Sequence, residues 1–469
     1  MSSVRNGAWD LVVIGGGGCG LAASIAAAES GLRVRLIEKS DVLGGNTARS
    51  IGSVPGAGTR FQADAGISDS PVLFYEDLYR RTDGHLDESS TRLMCRLSAE
   101  LVHWLVDSAR VTLRLTEDYK HVAHSVNRLH NPPSREGAEL IADLERTARE
   151  RGVTIDLSSP VTGLQVNDDS VEVGMGSAGD PDSVITGRAV VLATDGFGAS
   201  DELKQQYCPD TASLPYFGAE SNTGDGIRWG RDLGARLSNM DSYLGYAVMA
   251  VPPGGVPTYQ TLFSWTVLEI GGIAVDQDGH RFGDEDSGYS AFSDTVIYDG
   301  GGRAFVVFDQ RILDSVARHE PRFKLLVERP DSPVRRGADI GELAKAYGLP
   351  PENLQATLDT YNQAASGQRE DLFGRGTFGL APLQGTLYVC DTQPGLLTTQ
   401  GGLVVNDNAQ VVLEDGTSLP NVYAGGSTAA GISGNRGAQG YASGNGLLTA
   451  LGYGLVAGRH AAARAQVAV

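Results

Sequence analysis

The segment Asp10-Leu-Val-Val-Ile-Gly15-Gly-Gly17-Gly-Cys-Gly20-Leu-Ala-Ala constrains the fold more than any other part of the chain. Residues 11–14 are a short apolar run bounded by glycine, as a strand buried in a parallel sheet requires. The glycines that follow have the spacing of a strand–turn–helix phosphate cradle. Gly15 makes the tight turn, Gly17 lets the backbone approach a pyrophosphate, and Gly20 permits close helix–strand packing. Residues 22–28 supply small side chains for a helix lying near the sheet, whose N-terminal N–H groups face the phosphates. Val34-Arg-Leu-Ile-Glu38 is the next strand; Glu38 ends it about 20 residues on, where a carboxylate accepts from a ribose hydroxyl. Strand, turn, helix, strand and terminal acid together predict a dinucleotide-binding βαβ unit.

The chain has 469 residues, enough for two substantial domains rather than one simple core. With 41% hydrophobic and 20% charged residues it lacks the polar bias of disorder. A formal net charge of -19 argues against nucleic acid or an anionic membrane as a partner. Cys19, Cys95, Cys208 and Cys390 are scattered without a Cys-x-x-Cys pair, which disfavours a disulfide framework, a thiolate zinc site and a dithiol redox centre. Residues 1–7 run straight into the first strand without room for a signal peptide, and no apolar run reaches the ~18 residues of a membrane span. These features predict a cytoplasmic chain with no metal site.

Helical periodicity spans residues 70–152, through Leu93, Leu97, Leu101, Leu105, Leu140 and Leu144. Residues 153–157 and 170–175 read as strands around a hairpin, and 189–193 as a buried strand ending in Thr194-Asp195-Gly196-Phe197-Gly198. Thr223-Gly-Asp225-Gly226 opens a helix. From 243 to 388 the pattern changes to mixed short strands and helices with joins at Pro252-Pro253 and Pro350-Pro351. This predicts a second domain at 243–388 inserted into a dinucleotide-binding domain made of 1–242 and 389–469. Towards the C-terminus, residues 403–405 and 411–413 read as strands, and Asn421-Val-Tyr-Ala-Gly-Gly426 as a final strand and turn. Gly440-Tyr441-Ala-Ser443-Gly444-Asn445-Gly446 then opens a long helix rich in alanine and glycine.

Taken in order, the motifs resemble the flavoprotein superfamily of fumarate reductase, succinate dehydrogenase and aspartate oxidase, to which the 3-ketosteroid dehydrogenases also belong. The resemblance covers nearly the whole chain. It rests on Gly15 to Gly20 with Glu38, on Gly44-Gly45-Asn46-Thr47, and on Ala193-Thr194-Asp195-Gly196-Phe197. It rests also on His280-Arg281-Phe282-Gly-Asp284-Glu285 and on Gly401-Gly402 through Gly446. Asp195 stands where the family usually has a second glycine.

The fold class implied is α/β, a Rossmann-like FAD-binding domain with an inserted α+β substrate (capping) domain. The cofactor implied is non-covalent FAD, because covalently flavinylated members carry a histidine after Gly-Gly-Asn-Thr and residues 47–58 contain none. Its pyrophosphate would lie on Gly15, Gly17, Gly18 and Gly20, its ribose on Glu38 beside Lys39, and its middle on Gly44, Gly45, Asn46 and Thr47. Val161, Ala193, Thr194, Asp195, Gly226 and Gly426 complete the implied contacts. The helix opening at Asn445, with Leu447 and Leu448, would turn its N-terminus to the flavin pyrimidine, where negative charge develops on reduction. A single glycine fingerprint argues against NAD, so electrons pass to or from a substrate, oxygen, a quinone or another protein.

The dicarboxylate branch of this family holds its substrate with cations. It has a histidine just before Thr-x-Gly-Gly, where this chain has Thr398, and a substrate arginine before Gly-Gly-Asn, where Tyr441 stands. A proton-donating arginine follows its Arg-Phe-x-Asn-Glu motif, where this chain continues Asp286-Ser-Gly-Tyr289. All three positions are uncharged here. The 3-ketosteroid dehydrogenase branch has tyrosines at the places of Tyr289 and Tyr441. The resemblance therefore implies that Tyr441 and the Asn445 N–H polarise a ketone oxygen while Tyr289 removes the α-proton. The resemblance further implies hydride transfer to flavin N5 and an α,β-unsaturated ketone as product.

A phenol with a pKa of about 10 is a weak base at neutral pH, and Tyr119 is the expected helper of Tyr289. Arg436 could meet a substrate carboxylate. His280, Arg281 and Glu285 read as a charged turn holding the two domains together, and His121, His124 and His130 as surface or lid residues. The expected partners are a cyclic ketone, steroid-like or cyclohexanone-type, bound between the domains, and an external electron acceptor. Two alternatives stand beside this reading: a reductase of an enone or unsaturated acid, and an electron-transferring flavoprotein subunit.

Overall fold

The apolar run at residues 11–14 forms the centre of the strand Trp9–Ile14, whose last four side chains are buried. The computed structural model describes residues 9–117, 120–121, 123–177 and 180–467; Tyr119 lies outside them. Trp9–Ile14 pairs in parallel with Val34–Ile37 on one side and with Asp180–Leu192 on the other. Thr154–Asp156 extends the parallel ladder beyond Val34–Ile37, and Ser418–Ala424 extends it beyond Asp180–Leu192. Gln410–Val412 closes that edge in antiparallel. The fold is thus mixed α/β around a parallel sheet, as expected for a dinucleotide-binding chain.

One expected hairpin is placed differently. Residues 153–157 contribute the parallel edge strand Thr154–Asp156, and the antiparallel partner of Val171–Ser177 is Val161–Val166. Val161–Val166 shows no buried side chain and carries Gly163, so it lacks the apolar alternation that marks a strand in sequence.

The periodic stretch folds into the helices Pro71–Arg81, Glu88–Asp107 and Gly137–Glu150. Ser70 and Asp87 cap the first two through side-chain oxygens that accept from Leu73 N–H and Ser90 N–H. The helix Gly18–Glu29 lies against both the sheet and the C-terminal helix Asn445–Val467. A Cβ at Gly20 would stand 1.9 Å from the Gly15 carbonyl oxygen, so only glycine permits this contact. On the C-terminal helix, a Cβ at Gly454 would lie 2.4 Å from Cys19 O, and one at Gly458 2.4 Å from Ala23 O.

The chain divides into two compact units, Met1–Ala212 with Gly218–Tyr243 and Thr398–Val469, and Ser213–Phe217 with Leu244–Leu397. The expected boundary at 388 falls inside the strand Leu387–Thr399, which carries the second unit on to Leu397. In that unit Leu387–Thr399 pairs with Tyr243–Ala250, Ala304–Asp309 and Val334–Gly337, and Ile273–Val275 pairs with Ala304–Asp309. Phe263, Phe292, Phe305 and Val306 fill its core together with Ile312, Leu343 and Leu358 from the helices.

The Gly454→Ala substitution tests the close approach in the first unit. Alanine gains up to about 1 kcal/mol of helix propensity over glycine. The new methyl must displace backbone, however, at a cost of about 1–3 kcal/mol, so the melting temperature should fall. A rise would show that the two helices have room to spare.

Candidate active site

The glycine turn is shaped by what its missing side chains allow. Gly15 has a φ of +108°, and a Cβ there would lie 2.1 Å from the Ala193 carbonyl oxygen. Gly17 differs: a Cβ would meet nothing nearer than Gly44 O at 3.7 Å, so this side of the turn is open. The helix Gly18–Glu29 has Gly17 at its N-cap, no side-chain cap and no acid in its first turn. Its Cys19 and Gly20 N–H groups have no partner among the described residues and therefore suit an anion. Gly18 N–H donates to Thr47 Oγ1 at 3.2 Å and Gly44 N–H to Gly16 O at 3.0 Å, which draws residues 44–47 against the turn.

Glu38 is held by the backbone around it. Its Oε2 accepts from Gly16 N–H at 2.7 Å and its Oε1 from Ser40 N–H at 2.8 Å, which leaves lone pairs on both oxygens. Beside it, Lys39 Nζ donates to Asp225 Oδ2 at 2.7 Å and Thr223 Oγ1 at 2.8 Å. Asp225 was not among the expected site residues; the signal was its place in the glycine turn one residue before Gly226. Val161 is half-buried at the start of its strand, two residues past Ser159, whose N–H donates to Glu38 O at 2.9 Å.

Asp195 stands in a backbone conformation that favours glycine. Its φ is +63°, in the left-handed region that aspartate tolerates better than most residues. Its carboxylate accepts from Gly196 N–H at 2.9 Å and Asn222 Nδ2 at 3.0 Å, and also from the Ser427 side chain and the Asn46 N–H. Burial pushes the Asp195 carboxyl above the ordinary carboxylate range, and the hydrogen bonds offset only part of that shift. Thr194 Oγ1 accepts from Gly226 N–H at 3.0 Å, and Thr428 Oγ1 donates to Asp195 O at 3.1 Å. The segments carrying Asn46, Ala193, Gly226 and Gly426 are thereby tied together. Asn222, Ser427 and Thr428, which do much of this work, have no sequence signature of their own.

At the C-terminal helix Leu448 is fully buried and Leu447 nearly so. Gly446 N–H and Leu447 N–H have no partner among the described residues, and a Cβ at Gly446 would meet nothing within 4 Å. Asn445 is buried with its Nδ2 3.2 Å from Ser433 Oγ and its Oδ1 unpartnered. Its backbone N–H donates to Ala442 O at 3.2 Å, so the donor expected to hold a ketone is already used in the turn. Tyr441 is half-buried, and its carbonyl accepts from Arg81 Nε at 3.1 Å. Thr398 Oγ1 lies 3.4 Å from Ser427 Oγ. Arg436 is exposed and has no partner among the described residues.

In the second unit Tyr289 is half-buried against the core, its ring 5.3 Å from that of Tyr246. The Tyr246 hydroxyl is committed elsewhere, donating to Phe263 O at 2.8 Å and accepting from Trp265 N–H at 3.2 Å. Arg281 donates to Glu285 at 2.6 and 3.0 Å and to Asp371 at 2.5 Å, while Arg375 donates to Gly272 O at 2.8 Å. The partners named here all belong to the second unit, and the hydrogen bonds of this turn brace that unit from within; His280 is exposed. The histidines of the first unit also differ from expectation. His124 and His130 are buried and hydrogen-bonded rather than on a surface or lid, because polar partners await them inside: Thr59 Oγ1 lies 3.0 Å from His130 Nε2.

Residues 10–445 match the family described as FAD binding domain. The chain is 29% identical to a probable fumarate reductase of Shewanella frigidimarina, covering 97% of this chain and 75% of that protein. Among solved structures it is similar to a flavocytochrome c3 fumarate reductase, with a TM-score of 0.78, 26% identity, and coverage of 99% and 79% of the two chains. It shares its fold with a 3-ketosteroid-Δ4-(5α)-dehydrogenase from Rhodococcus jostii, with a TM-score of 0.78, 24% identity, and coverage of 98% of each chain. The chain belongs to the FAD-binding flavoprotein family that includes fumarate reductases. It is an FAD-dependent oxidoreductase.

The residues of the first unit fit that cofactor. Two helix N-termini offer unpaired N–H groups, Gly17 and Gly446 leave space that a Cβ would take, and buried Asn445 Oδ1 lacks a partner. Among the described residues no cluster suits a metal ion, and no helix is long and apolar enough to cross a membrane. Asp195→Gly should keep the backbone conformation but strand the donors now gathered on the carboxylate. FAD affinity should fall about 10- to 100-fold, read as recovery of free-flavin fluorescence on titration of the apoprotein. Asp195→Asn, which keeps acceptor capacity, should lose less; equal affinity in all three proteins would exclude Asp195 from shaping the cradle.

Proposed function

We propose that the protein desaturates a cyclic ketone, removing hydrogen from the carbons α and β to the carbonyl. The observation that carries this reading is the uncharged side chain at two positions, Thr398 on the strand Leu387–Thr399 and Tyr441 in the loop before the C-terminal helix. Thr398 and Tyr441 stand where dicarboxylate enzymes of the family place cations, and Tyr441 precedes a helix whose first-turn Gly446 and Leu447 N–H groups are unpaired. Such a loop suits a neutral carbonyl that gains negative charge during reaction. The solved ketosteroid dehydrogenase shares the fold and contains 4-androstene-3,17-dione.

In this reading Tyr441 donates a hydrogen bond to the carbonyl oxygen. The Gly446 N–H takes the place of the engaged Asn445 N–H as the second donor. Tyr289 accepts the α-proton as base, with Tyr119 as its helper. Bound FAD, held without a covalent link, supplies the two-electron acceptor for the β-hydrogen and its electron pair. An external acceptor, whether quinone, oxygen or a protein, then removes those electrons.

A second reading, reduction of an unsaturated acid, draws on unpaired Arg436 and on the fumarate reductase relative. One panel separates the two. Under anaerobic conditions a cyclic ketone such as cyclohexanone or 4-androstene-3,17-dione should bleach the flavin absorbance of the holoenzyme. Tyr289→Phe and Tyr441→Phe should keep FAD and lose at least about 100-fold in kcat. Reoxidation of dithionite-reduced enzyme by fumarate, lost in Arg436→Ala, with no response to ketones, would overturn the ketone reading.

A further inference from the structure

The cluster beneath the Tyr441 loop contains a buried imidazole that the proposed chemistry does not use. His124 Nε2 lies 2.8 Å from the Ser443 carbonyl oxygen, and its Nδ1 lies 3.1 Å from an Arg128 guanidinium nitrogen. A carbonyl requires a donor and a guanidinium requires an acceptor, so the ring is the neutral tautomer with hydrogen on Nε2. Burial, and then the adjacent Arg128 charge, lower its pKa to about 3, so it stays neutral across the working range. Arg128 is itself fully buried. It donates to Asp77 Oδ2 at 2.7 Å and to Asp69 at 2.9 and 3.0 Å, and its guanidinium lies over the Phe74 ring at 4.5 Å. Asp77 is pinned in turn by Ser125 N–H at 2.9 Å and Ser125 Oγ at 2.8 Å. Asp77 sits on the helix Pro71–Arg81, whose Arg81 holds the Tyr441 carbonyl at 3.1 Å.

We propose that His124 is a positioning residue: locked by Arg128, it holds the Ser443 carbonyl and so fixes the segment that presents Tyr441 to the substrate carbonyl. Arg81 grips Tyr441 O while His124 grips Ser443 O, and the two bonds immobilise alternate peptides of the loop. With both ring nitrogens engaged and the side chain buried, His124 does not touch substrate. The mechanistic part of this inference rests on the proposed ketone chemistry; the structural part does not.

The test compares His124→Gln, His124→Asn and His124→Leu holoenzymes. Gln offers an amide N–H to Ser443 O and a carbonyl to Arg128 across a similar span. Asn offers the same groups one methylene short, and Leu offers neither. Hydrogen exchange of the peptide covering residues 437–447, read by mass spectrometry, should quicken at least about tenfold in Asn and Leu, with Gln close to wild type. The kcat for a cyclic ketone should follow the same order, falling about 10- to 100-fold with little change in KM or FAD content. If Leu does not fold, the Gln–Asn pair still decides. Unchanged exchange in Asn, or equal exchange in Gln and Asn, overturns the proposal. If exchange follows the expected order while wild-type enzyme oxidises no ketone, His124 positions the loop and the ketone reading fails instead.

Discussion

The first and last helices of the FAD-binding unit meet backbone to backbone, and the cofactor cradle depends on that contact. Gly454 and Gly458 face the carbonyls of Cys19 and Ala23 at distances that leave no place for a methyl group. The same helix contributes Gly425's neighbour, since a Cβ at Gly425 would lie 2.8 Å from Tyr453 Cβ and 2.7 Å from Cys19 Sγ. The contact therefore brings together three separate pieces of chain: the helix after the glycine turn, the turn after the last sheet strand, and the C-terminal helix. Dispersion at such close range is the gain, and intolerance of any added volume is the cost.

Around this apolar joint the unit places charges that are half-buried, as Asp195 is, or fully buried, as Arg128 is, each matched by donors or acceptors. Asp195 sits at a left-handed position and gathers donors from several cofactor segments, although burial raises its pKa. Arg128 is buried between Asp69 and Asp77. Groups like these add little net stability, because desolvation consumes much of the attraction, but removing one partner leaves an uncompensated charge. They serve geometry: one cluster ties the cradle together and the other underlies the loop that carries Tyr441.

Much of this was legible in the residues alone. The alternation of apolar run, glycine turn and second apolar run encodes parallel strands around a helix, and Glu38 ends the second of them as spacing required. Leu93, Leu97, Leu101 and Leu105 share one helical face and fall within the helix Glu88–Asp107. The hairpin partner Val161–Val166 was not legible, because a short, half-buried strand interrupted by a glycine lacks clean alternation. The histidines were misread because a polar side chain inside a protein looks in sequence like one at the surface. Arg128, four residues past His124, was the available clue. The engaged Asn445 N–H could not be foreseen either, since a turn closing on Ala442 O depends on dihedral angles that no residue type dictates.

The sequence by itself determined the class of chemistry. Glycines at fixed spacing admit a phosphate-bearing cofactor because they lack Cβ atoms, and that property is local. It also determined which charged groups are missing at Thr398, Tyr441 and Tyr289. Only the tertiary structure decided how the cofactor segments are joined, through Asp195 to Asn46, Asn222 and Ser427, and what supports the Tyr441 loop, through Arg81 and His124. Those partners lie up to hundreds of residues apart in the chain. Their pairing is set by which buried polar atoms must be satisfied once the core has closed, a condition that exists only in three dimensions.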